Sequence, residues 1–147
     1  MTDRESNKET QFVTNRYNHF APFYNIMEGP LEYFWYRKWR KELWRSISGH
    51  KILEMGVGTG KNIIFYSGDK DITAIDISEN MLKRARAQVE KLDYNCSDFI
   101  EMDIQNITFP DNLFDAVVAT FVFCSVPNPV LGLKEALRVT RPDVKLT

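Results

Sequence analysis

The 147-residue chain has two cysteines, two histidines and a net charge of −1. Each scarcity removes a class of function. Cys96 and Cys124 stand far apart, in or beside apolar strand-like runs, with no spacing that suits a metal. They read as buried, reduced thiols of a cytoplasmic protein rather than as a disulfide or a ligand pair. No metal cluster and no catalytic triad is spelled out in the chain. Near-neutral charge offers no case for nucleic-acid binding, which calls for a basic domain or stripe. The opening MTDRESNKET is charged and lacks the apolar segment of a secretory signal, and no stretch reaches the ~18 apolar residues of a membrane span. Internal repeats, low-complexity tracts and a second domain are missing as well.

What remains suits one globular unit: 44% hydrophobic and 13% aromatic residues are ample for a single core. Charge is unevenly placed. Residues 1–50 hold eight Lys/Arg and six Asp/Glu, residues 51–147 eleven and fourteen, so a +2 part precedes a −3 part. Most of the basic excess lies between Arg37 and Arg45. Residues 1–10 are polar and expected as a disordered tail. Residues 11–49 read as a helical cover. Phe12, Tyr17, Phe20, Phe23 and Tyr24, with His19 among them, suggest a short helix broken near Pro22, and Pro30 and Gly49 suit the two ends of a second helix. In that second helix Leu31, Trp35, Trp39 and Leu43 recur every four residues, while Arg37, Lys38, Arg40, Lys41 and Arg45 fill other faces. Two readings stand: a cover helix whose apolar stripe packs on a sheet, or an interfacial helix whose tryptophans and basic residues meet an anionic membrane.

Residues 50–147 alternate strand and helix. Ile52-Leu53 meets Glu54 and then Gly56, Gly58 and Gly60, so a strand turns sharply through a glycine loop toward a short helix over Lys61 to Ser67. A strand over Asp71 to Ile75 ends at Asp76, eighteen residues beyond Gly58. Its carboxylate there can accept both ribose hydroxyls of an adenosine ligand. Ser78 can cap a helix carrying Met81, Leu82, Ala85, Val89 and Leu92 at helical period. Cys96 to Met102 reads as a third strand, and Phe114 to Phe123, apolar throughout, as a long buried fourth. Asn128-Pro129 opens a last helix through Thr140, which Pro142 stops. Alternation of this kind gives a doubly wound parallel sheet with right-handed crossovers.

The spacing Glu-x-Gly-x-Gly-x-Gly differs from the GxGxxG of dinucleotide folds. With the block FPDNLFDAVVATFVFCSVPNPVLGLKEALRVTRP from Phe109, it resembles the class I S-adenosylmethionine-dependent methyltransferases. The resemblance implies a partial Rossmann-like methyltransferase fold of about four strands in the order 3-2-1-4, binding S-adenosyl-L-methionine over residues 50–147. It implies that Glu54, Gly56, Gly58, Thr59 and Gly60 hold the methionine part and ribose, that Asp103 takes the adenine amino group between Ile77 and Ile104, and that Thr120 lies at the methionine end. No metal is implied. The segment from Tyr17 to Tyr24 and the helix after Pro30 look like the cover of enzymes acting on quinones, phospholipid amines and some thiols, so the expected acceptor is small or lipid-like. Tyr17, His19 and Tyr24 are the candidates for orienting it.

After Arg141-Pro142 the family's Gly-Gly and later strands are not found, which leaves the fourth strand expected as an open apolar edge that self-associates. The rival expectation is a non-catalytic cofactor-binding domain or subunit that needs a partner. The chain is expected to be cytoplasmic, with peripheral membrane contact through the Arg37 to Arg45 helix.

Overall fold

The computed structural model describes residues 36–92 and 98–142, together with Gln11. The polar tail, nearly all of the aromatic segment before Tyr36, Cys96 and residues 143–147 lie outside the described residues. Four strands, β1 (Lys51–Met55), β2 (Asp71–Asp76), β3 (Phe99–Glu101) and β4 (Ala116–Ala119), form one parallel sheet in the order β3-β2-β1-β4. This is the expected doubly wound order.

β1 is central because both its edges are paired, Ile52 with Ile72 on one side and Ala116 on the other. Side chains alternate across a strand, so β1 feeds two cores. Ile52 joins Trp44, Val57, Ile63, Tyr66 and Leu82 on one face. Leu53 and Met55 join Ile75, Ile104, Phe114 and Val139 on the other. Helices α1 (Arg37–Ser46), α2 (Glu79–Leu92) and α3 (Pro129–Val139) flank the sheet. Two begin as expected. Ser78 Oγ accepts from Met81 N–H at 3.3 Å, and Asn128 Oδ1 accepts from Leu131 N–H at 3.3 Å with Pro129 in the first turn.

Much of the Phe109 to Pro142 block is structural, although Thr120 and Phe121 within it line a cleft. Asp115 accepts from the backbone N–H groups of His50 (2.9 Å) and Lys51 (2.8 Å) and pairs with Arg141, fixing the start of β1. Arg138 donates to Ile107 and Phe109 carbonyls and pairs with Asp111 and Glu135, holding the loop before β4 against α3. Phe114 and Thr140 form a parallel bridge at the head of β4's outer edge. From Ala116 to Ala119 that edge has no strand neighbour among the described residues.

Three expectations are corrected. First, the packed seam of α1 is Arg40 and Trp44, with Leu43 and Ile47 beside it, whereas Trp39 is 62% exposed. Trp44 sets the roll of the helix by meeting the Tyr66 ring at 4.6 Å. Second, the helix expected over Lys61 to Ser67 is only a 3-10 turn, Ile63–Phe65. Asn62 and Tyr66 turn inward to a buried carboxyl, and a β-branched and aromatic run resists helix. Third, β4 ends at Ala119, not Phe123. Its partner β1 ends opposite it at Met55, so no ladder exists to continue. The chain turns through Phe121 into a 3-10 turn, Phe123–Ser125, and Cys124 is exposed, not buried.

These placements separate the tryptophans. Trp44→Ala should cost about 3–5 kcal/mol of stability, and Trp39→Ala no more than about 0.5 kcal/mol. Urea denaturation measures both, and equal losses would contradict the seam.

Candidate functional site

β1 ends at the glycine loop, where Gly56 and Val57 N–H both donate to the Ile75 carbonyl (2.8 and 3.1 Å) and hold the loop over β2. Two glycines here are required. Gly56 has φ +67°, and a Cβ would lie 2.4 Å from the Val122 side chain. Gly58 has φ +56°, and a Cβ there would meet no protein atom within 4 Å. Its open side faces the cleft, so a side chain would take up ligand space. After the loop comes only the three-residue 3-10 turn, which offers no helix N-terminus for a pyrophosphate.

Beneath the loop sits Glu54, 1% exposed. Asn62 Nδ2 donates to its Oε1 at 2.6 Å, and the Tyr66 hydroxyl donates to Oε2. Burial pushes the Glu54 carboxyl up to about 7, against the opposing pull of these donors and of the Arg40 charge. The same Asn62 accepts from Arg40 Nη1 at 2.8 Å and donates to Thr120 Oγ1 at 3.0 Å, and Arg40 donates to Thr120 Oγ1 at 2.8 Å. One buried polar network therefore joins α1, the end of β1, the 3-10 turn and the end of β4. Glu54 and Gly60 support the cleft from behind and do not line it.

The cleft holds about 890 Å³ of empty space, counting the part open to solvent. Its wall carries Gly56, Gly58, Thr59, Asp76, Ile77, Asp103, Ile104 and Thr120, all singled out from the sequence. Asp76 accepts from Gly58 N–H (2.8 Å) on one oxygen and Ser78 N–H (2.9 Å) on the other, and its carboxylate keeps acceptor capacity on the cleft side. Burial raises its pKa, and the N–H donors of Ser78, Gly58 and Ile77 oppose the rise. Asp103 accepts from the Gln105 backbone N–H at 2.8 Å, and Gln105 Oε1 accepts from Asn128 N–H at 2.9 Å, tying this wall to the start of α3.

Sequence reasoning missed several residues of this wall, Arg40, Gln105 and Phe121 among them. Arg40 had a signal, the four-residue spacing Tyr36-Arg40-Trp44, which was hidden by the competing Trp stripe. Phe121 had none: its φ of +59° is rare for a bulky residue, and the Arg40 guanidinium lies 5.2 Å from its ring centre. Tyr17, His19 and Tyr24 lie outside the described residues. Two carboxylates, apolar walls, an open glycine cradle and a cation at the far end fit an adenosine whose 5′ substituent is an amino acid. The donor set thus fits S-adenosylmethionine, which has no phosphate to hold.

Comparison with known proteins agrees. Residues 53–147 match a family model described as a methyltransferase domain. The phosphatidylethanolamine N-methyltransferase of Cereibacter sphaeroides is 42% identical over 94 residues, covering 63% of this chain and 46% of the relative. The demethylmenaquinone methyltransferase of Listeria welshimeri is 31% identical over 153 residues, covering 99% of this chain and 63% of the relative. The solved structure of an Aquifex aeolicus SAM-dependent methyltransferase aligns with a TM-score of 0.60 at 26% identity, covering 69% of this chain and 56% of that one. The chain spans about half to three-fifths of the length of these proteins.

The raised Glu54 pKa has a definite pH signature. Between the ordinary 4.5 and about 7 the folded chain keeps a proton that the unfolded chain releases. Glu54 therefore contributes stability below pH ~4.5 that is lost as pH rises through ~7, on the order of 3 kcal/mol. Urea midpoints at pH 5 and pH 8 should fall less far apart in Glu54→Gln than in wild type. The same fall in both proteins would contradict the assignment.

Proposed function

The chain belongs to the class I S-adenosylmethionine-dependent methyltransferases, and we propose that it transfers the cofactor's methyl group to a small or lipid-like acceptor. The observation that carries this is the cleft itself: a glycine cradle without a pyrophosphate helix, bordered by Asp76, Asp103 and Thr120. In this reading Asp76 accepts the ribose hydroxyls, Asp103 the adenine amino group, and Ile77 and Ile104 cover the ring faces. Gly56, Gly58 and Thr59 form the backbone cradle, with Glu54 and Gly60 holding it from behind. Thr120 and Arg40 stand at the methionine end, where the Arg40 guanidinium suits the carboxylate.

The bound cofactor supplies a methyl already activated on a sulfonium. The chain's own residues then have to orient and exclude water more than to push protons. Tyr17, His19 and Tyr24 are proposed for the acceptor side. Support for a lipid-like acceptor comes from the two relatives, one named for phosphatidylethanolamine and one for demethylmenaquinone. A second copy is proposed at the outer edge of β4, beside which α3 leaves Val130, Leu133 and Leu137 exposed.

Calorimetry with S-adenosylhomocysteine tests the cofactor site. Wild type should bind, and Asp76→Ala should weaken binding about 10–100-fold, the loss of one charge-assisted contact. No binding by wild type, or unchanged binding in Asp76→Ala, would refute the reading. Radiolabelled methyl transfer to phosphatidylethanolamine or demethylmenaquinone tests turnover. Binding without transfer to any amine, quinone or thiol would favour a cofactor-binding subunit instead. Sedimentation at micromolar concentration should show a dimer, and a clean monomer would dismiss the second copy.

A further inference from the structure

We propose that the outer face of α1 and the turn at Phe121 form one docking surface for an anionic lipid bilayer, set around the mouth of the cleft. Its purpose rests on the methyl-transfer reading: a lipid acceptor could meet the cofactor without leaving the membrane. Its physics does not depend on that reading.

Arg37, Lys38, Lys41 and Arg45 are all exposed along α1, Lys38 and Arg45 on the side away from Arg40 and Trp44, against one acid, Glu42. The Glu42–Arg45 contact is long, 4.0 Å, and both side chains are more than 60% exposed, so it neutralises little. Four exposed cations on a ten-residue helix alone would describe an ordinary solvated face. The aromatic residues change this. Trp39, 62% exposed, stands on the same helix, on the flank across Glu42 from the cations, and meets the Tyr36 ring at 6.0 Å. Tyr36 meets the Phe121 ring at 4.6 Å, and Phe121 is 55% exposed and lines the cleft. A continuous row of three aromatics thus runs from the basic helix to the cleft mouth.

Phe121 has a left-handed backbone, φ +59°, a conformation unfavourable for a bulky side chain. Strain spent on a ring that stays more than half exposed, even with Tyr36 and Arg40 against it, points to a use for the exposed part. Tryptophan among lysines and arginines is the composition that settles at the headgroup level of a bilayer, with cations on lipid phosphates and rings below them. A nucleic-acid duplex, its bases stacked inside, would satisfy the cations and leave Trp39 and Phe121 without a partner. The exposed apolar residues of α3 lack this charge complement, since Glu135 and Asp111 pair with Arg138 there.

Vesicle co-sedimentation of the full chain is the test. Binding to phosphatidylcholine vesicles containing phosphatidylglycerol should exceed binding to pure phosphatidylcholine by about tenfold or more and should weaken as salt is raised. Trp39→Ala and, separately, Lys38→Glu/Lys41→Glu should each lower the partition coefficient about tenfold. Their S-adenosylhomocysteine affinity without vesicles should stay as in wild type, because none of these residues lines the cleft. Equal binding to neutral and anionic vesicles, unchanged binding in both variants, or tighter binding to a DNA duplex than to the vesicles would overturn the proposal. Vesicle binding that depends on these residues in a chain that fails to bind S-adenosylhomocysteine would sustain the surface and remove the methyl-transfer reading.

Discussion

A carboxyl group buried at the end of the central strand constrains everything around it. Glu54 is out of water at the point where β1 stops, and a buried acid must find donors or keep its proton. Its donors, Asn62 and Tyr66, come from the segment just beyond the glycine loop. The loop must therefore double back within a few residues, which is why left-handed glycines are placed there and why no full helix follows. Asn62 in turn engages Arg40 and Thr120, and Tyr66 engages Trp44. The cover helix, the loop and the end of β4 are thereby held to one centre, and the cleft is the space they leave in front of it.

The acidic residues divide by role. Glu54 works behind the cradle and shapes it, whereas Asp76 and Asp103 border the open space. Asp111 and Asp115 belong to neither group and hold loop to helix and strand to strand. The stretch from Phe109 on thus owes much of its character to folding, while the cleft depends on scattered positions, Thr120 and Phe121 among them, brought together by the crossovers. A fold of this kind serves many activities, so the functional argument has to rest on those positions.

Much of this was legible in the sequence. Alternating apolar runs, the Ser78 and Asn128 caps and the strand-end aspartates are local signals, and local signals survive into the structure. What was not legible depended on distant partners. The roll of α1 follows from Trp44 meeting Tyr66, so counting every fourth residue chose the wrong stripe and put Arg40 outside. The end of β4 follows from the end of β1, which an unbroken apolar run cannot reveal, and Cys124 was assigned to the interior for the same reason. Correcting these points gives α1 two working faces, one reaching the cleft through Arg40 and one carrying Trp39 outward.

The central claim is that the space between the glycine loop, Asp76 and Asp103 is the cofactor site. It is tested most directly by recording backbone amide spectra of the isotopically labelled chain as S-adenosylhomocysteine is added. The largest changes should fall on Gly56, Gly58, Thr59, Ile77, Ile104 and Gln105, with smaller ones at Thr120 and Phe121 and none along the outer face of α3. Saturation with no change at the loop and at the ends of β2 and β3, or changes centred on α3, would contradict the account.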